Sequence, residues 1–66
     1  MDTHTYTHTL DMLLHVRAMY AHHMRMYVQA YLARDTPTMG THHAMVQHYA
    51  VLVSTYEATV HTMVHA

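Results

Sequence analysis

The sequence predicts an all-α protein: a two-helix antiparallel hairpin that dimerises into a four-helix bundle. Three observations carry this. His8 to Arg34 is a run of twenty-seven residues with neither Gly nor Pro. One concentrated breaker follows, Asp35 to Thr41, containing Pro37 and Gly40. From His42 to His65 the apolar residues recur with a helical period. Sixty-six residues make one domain at most. The expected division is a flexible N-terminal arm over 1–8 and a helical hairpin over 9–66, with helix 1 at about 10–34, a loop at 35–41 and helix 2 at about 42–65.

Across residues 1–8 Thr alternates with His or Tyr. This period of two has no apolar face to bury, so a frayed arm is expected. Thr9 is placed to cap the first turn, with Asp11 beside the positive end of the helix dipole. From Leu10 to Arg34 good helix formers dominate, and Arg34 complements the negative end.

Along this helix the line His8, Met12, His15, Met19, His22, Met26, Gln29, Ala33 keeps a four–three spacing, which holds it on one face. That face is semi-polar. Of two opposite arcs of the helix, one carries Leu10, Leu14, Ala18, Ala21, Val28 and Leu32, interrupted by Arg17 and Arg25. The other carries Met12, Val16, Met19, Tyr20, Met26, Tyr27 and Ala30. A helix apolar nearly all round is usually covered on more than one side.

In the breaker, either Thr36 caps a helix beginning at Pro37, or Thr41 caps one beginning at His42; the second is preferred, leaving Gly40 in the loop. Helix 2 places Met45, Val46, Tyr49, Leu52, Val53, Tyr56, Val60 and Met63 on one face. His43, Gln47, Ser54, Glu57, His61 and His65 fall on the other. Tyr49 to Tyr56 would also suit a strand, but the 3.6-residue period continues to the C-terminus and favours helix. Two antiparallel helices alone enclose no core. A homodimer, another homo-oligomer or a protein partner is the simplest way to cover both faces.

Composition excludes several function classes. Three Arg and no Lys, at a formal charge of −1, do not make a phosphate-gripping surface, so no nucleic-acid binding is expected. Met1-Asp2-Thr3-His4 is not the start of an export signal, and no apolar run is long enough to span a membrane. The expectation is a soluble chain, cytoplasmic if expressed in a cell. With no Cys, disulfides and thiolate metal sites are absent.

Lys, Asn, Ile, Phe, Trp and Cys are all missing, and seven residue types fill 52 of the 66 positions. Those seven (His, Tyr, Arg, Met, Thr, Val, Ala) can all be written with codons that alternate purine and pyrimidine. An artificial or newly emerged reading frame is the inference; a designer's restricted alphabet gives the same composition. Histidines arising in this way need no chemical purpose.

Two constellations nevertheless have ligand chemistry. Glu57, His61 and His65, four apart, line one helical face and could share Zn²⁺ or Cu²⁺. His15 and His22, alternating with Met19 and Met26, suit copper or, across a dimer, haem. Each is also what a solvated or boundary face would show, because ten His in so short a chain generate such spacings by chance. The doublets His22-His23 and His42-His43 are poor shared ligands, since helical neighbours point ~100° apart. Ser54 and His61 lack an oxyanion hole and an orienting acid, so no enzyme is expected. The leading reading is a non-enzymatic helical protein acting by self-association or partner binding. The alternative is a His/Met-based Zn, Cu or haem-binding bundle, with no cofactor strictly required. Ten imidazoles also imply loss of the oligomer or of helicity by about pH 5.

Overall fold

The computed structural model describes residues 3–65. Two helices, α1 (Thr3–Leu32) and α2 (Thr36–His65), pack against each other as a hairpin. The rod measures 48 × 14 × 13 Å, close to the ~45 Å length of a thirty-residue helix. The all-helical hairpin agrees with the sequence; its boundaries differ in three places.

The arm expected over 1–8 is helical from Thr3 onward, and residues 1 and 2 lie outside the described set. Thr9 therefore sits well inside α1 instead of capping it. Its hydroxyl donates to the Thr5 carbonyl at 2.8 Å, and the residue is buried. That bond lets a polar side chain sit in the contact without an unsatisfied group. Thr41, Thr55, Thr59 and Thr62 make the same four-residue back-bond on α2.

The second difference is the end of α1. It stops at Leu32, and Arg34 follows in the left-handed region at φ 57° instead of closing the last helical turn. The Arg34 N–H bonds the Tyr31 carbonyl at 3.1 Å, and the Asp35 N–H bonds the Ala30 carbonyl at 2.9 Å. This pair of bonds is the Schellman motif, which satisfies carbonyls that the helix end would leave open.

Third, the loop expected over 35–41 shrinks to residues 33–35. Asp35 is the cap of α2: its Oδ1 accepts from the Thr38 N–H at 3.3 Å. Thr36 and Pro37 are the first two helical residues, where the N–H that proline lacks has no partner to lose. Gly40 is thus helical with negative φ, not a loop residue, and a Cβ there would meet nothing within 4 Å. Hydrogen bonding from Thr38, from its side chain first and its backbone second, holds the Asp35 carboxyl below its ordinary pKa.

The contact between the helices is a heptad seam. On α1 it runs Tyr6, Thr9, Leu13, Val16, Tyr20, His23, Tyr27, Ala30, all buried or half-buried. That is the His–Met line moved on by one residue, a rotation of ~100°. His8, His15 and His22 consequently stand exposed, while Met12, Met19 and Met26 are half-covered at the seam's flank. On α2 all eight residues of the expected apolar face are half-buried, and all six of the expected polar face are exposed. Buried apolar residues are few among those described: Leu13, Val16 and Ala30, with none on α2.

Candidate functional site

The seam carries one polar cluster. His23 is a seam residue of α1, and His42 is a half-buried seam residue just after the turn on α2. Because the turn is short, the two meet directly. Nδ1 of His23 lies 2.8 Å from Nδ1 of His42, so one ring donates its N–H and the other accepts. Tyr49, two turns beyond His42, stacks on His23 with centroids 5.6 Å apart and planes 10° from parallel. His22 meets His23 edge-on at 5.0 Å, and His48 meets Tyr49 in the same manner at 5.0 Å. Five aromatic rings thus form one continuous set. Burial foremost, then the neighbouring imidazoles of His22 and His42, holds the His23 pKa below its ordinary value.

The expected ligand residues are distributed differently. His61 and His65 do come together, with ring centroids 4.3 Å apart. Glu57, one turn back, engages Arg17 of α1 at 3.1 Å, placing its carboxylate in an inter-helix ion pair. His22 joins the aromatic cluster through His23, whereas His15 stands on the exposed face of α1. Among the described residues no group of three or more His, Asp or Glu is placed to hold a metal ion.

The His23–His42 pair escapes a reading by doublets. His22 and His23 touch edge to edge within their own doublet, but the nitrogen–nitrogen contact takes one member from each doublet, across the hairpin. Reading the same four–three spacing from Thr9 in place of His8 puts His23 in the contact. The geometry can do two things: share a proton between imidazoles, or present two nitrogens to one electrophile.

None of the described helices is long and apolar enough to cross a membrane. No family model, curated protein or solved structure matches this chain.

Proposed function

We propose that this chain acts by self-association, two copies pairing through the outer faces of their hairpins to make a four-helix bundle. One observation supports the reading above others: the large apolar residues left in solvent. On α1 Leu14 is 62% exposed and Leu32 74%, with Val28 and Tyr31 also exposed; on α2 Val51 is 66% exposed. Leu14, Val28 and Leu32 belong to the arc away from the seam, with half-buried Leu10 and Ala21 between and beside them. An apolar arc of this length on a small protein marks an association surface.

A second copy is the partner that fits. It brings the same apolar arc, and a formal charge of −1 opposes approach only weakly. The hairpin's broad side, 48 × 14 Å, is on the scale of the ~800 Å² per partner of a standard interface. The restricted residue alphabet accords with an artificial or newly emerged origin, and the reading needs no catalytic group.

Sedimentation equilibrium at pH 7.5 in EDTA tests this. The wild type is expected at twice the 7.7 kDa chain mass, and a Leu14→Glu/Val28→Glu double variant at the chain mass with helicity retained. A wild type of single-chain mass across the micromolar range would overturn it.

A further inference from the structure

The geometry points to a two-histidine transition-metal clip, His23 Nδ1 and His42 Nδ1 holding one divalent ion of borderline softness (Zn²⁺, Ni²⁺ or Cu²⁺) between the helices. The separation of the two nitrogens decides the case. Imidazole nitrogens sit ~2.0–2.1 Å from such an ion, so two on one metal lie ~2.9 Å apart at a right angle and ~3.3 Å apart at the tetrahedral angle. The observed 2.8 Å is already at the short end of that bite. Each ring has to swing by ~35–45° to turn its lone pair off the nitrogen–nitrogen line and onto a shared ion, the angle that line makes with the metal–nitrogen bond at tetrahedral and right-angle geometry.

The surroundings pre-organise the pair. Tyr49 lies flat on the His23 ring, at 5.6 Å and 10°, and His22 closes its edge at 5.0 Å. The rings of His23 and His42 stand 5.1 Å apart with 2.8 Å between their nitrogens, so they meet end to end and not face to face. When the ion enters, the ring that was donating moves its proton from Nδ1 to Nε2. Each Nδ1 then offers a lone pair, and neutral rings release no net proton. Water completes the coordination shell, because the described residues bring no third protein ligand.

This clip differs from the His61–His65 pair in what it joins. That pair lies within one turn of one helix, whereas His23 and His42 are nineteen residues apart on different helices. A metal at the clip therefore ties the hairpin shut, and its binding energy appears as folding stability.

The experiment is thermal melting of the full chain at pH 7.5, in EDTA and in a ten-fold excess of ZnCl₂, for the wild type, His23→Gln, His42→Gln and His61→Gln. Zinc is expected to raise the wild-type midpoint by at least 5 °C, His23→Gln and His42→Gln each to lose most of that rise, and His61→Gln to keep it. A rise that survives His23→Gln and vanishes in His61→Gln would overturn the clip, as would no rise in the wild type. Gln keeps a hydrogen-bonding group of similar size; should either seam variant still fail to fold in EDTA, wild-type NMR decides. Zinc should then shift the His23 and His42 ring signals together, at one ion per chain and ahead of the other imidazoles. Shifts beginning at His61 and His65 would refute the assignment.

Discussion

Nη2 of Arg17 on α1 donates to Oε1 of Glu57 on α2 at 3.1 Å. It joins the two helices beyond the aromatic cluster, and it occupies the carboxylate that the spacing of helix 2 had suggested for a metal. Both side chains are about half exposed, at 54% and 49%. Water and salt screen such a pair, and two long side chains lose freedom to hold it, so a coupling energy of about 0.2–1 kcal/mol is expected. A double-mutant cycle of Arg17→Met and Glu57→Gln, melted in low and in 0.5 M salt, measures it. A coupling well above 1 kcal/mol that persists in high salt would mean the pair is shielded, as by a second copy lying over it.

Helix existence was legible in the sequence because breakers are few. One Pro and one Gly, both between residues 35 and 41, leave two uninterrupted periodic stretches. The covered face of α2 was equally legible, since Met45, Tyr49, Leu52, Tyr56 and Met63 stand against a polar opposite side. α1 resisted because its apolar residues circle the helix. A one-residue change of register exchanges His22 for His23 at the contact, and periodicity alone weighs both nearly equally. The turn was hidden for a different reason. Pro37 reads as a breaker, yet in the first turn of a helix it breaks nothing, and Asp35 proved a better cap than either Thr considered. The candidate site was invisible for the reason that it joins two doublets, and which member of each faces inward depends on the register of α1.

Acidification should destabilise the hairpin through His23. Its pKa is lowered in the folded chain by burial and by His22 and His42, while Tyr49 covers its face. The unfolded chain therefore binds the proton first. Its contribution is fully present above the ordinary value of 6.5 and is lost as pH falls from there toward the folded pKa. Asp35 acts in a separate window. Its lowered pKa stabilises the fold above the ordinary value of 3.8, an advantage that disappears as pH drops through the folded value. Melting midpoints in EDTA should thus fall between pH 7 and 5, and less steeply in His23→Gln. An identical slope in the variant would assign the effect to the other nine histidines of the chain.

Arg34 occupies a backbone conformation that suits glycine. With φ at 57° its Cβ crowds the following carbonyl, while the Schellman bonds around it involve only the backbone. Arg34→Gly keeps those bonds and removes the crowding, at the expense of a more flexible unfolded chain. The gain is expected at about 0.5–1 kcal/mol, read from the urea midpoint with an unchanged slope. Arg34→Ala, which keeps the Cβ, should gain nothing. That contrast separates backbone relief from removal of a charge.

Gly40 presents the opposite case. It lies in the second turn of α2 at negative φ, exposed, and an added Cβ would meet nothing within 4 Å. The helix pays for a glycine there in backbone entropy without any close approach within the hairpin to require it. Gly40→Ala is therefore expected to stabilise by about 0.8–1 kcal/mol, a rise of roughly 4–8 °C in the melting midpoint of so small a domain. The same melt taken across a hundred-fold range of protein concentration carries a second message. A uniform rise places Gly40 outside the contact between copies. A rise at low concentration that shrinks at high concentration would place the backbone of α2 at Gly40 inside that contact, where a methyl group holds the two hairpins apart.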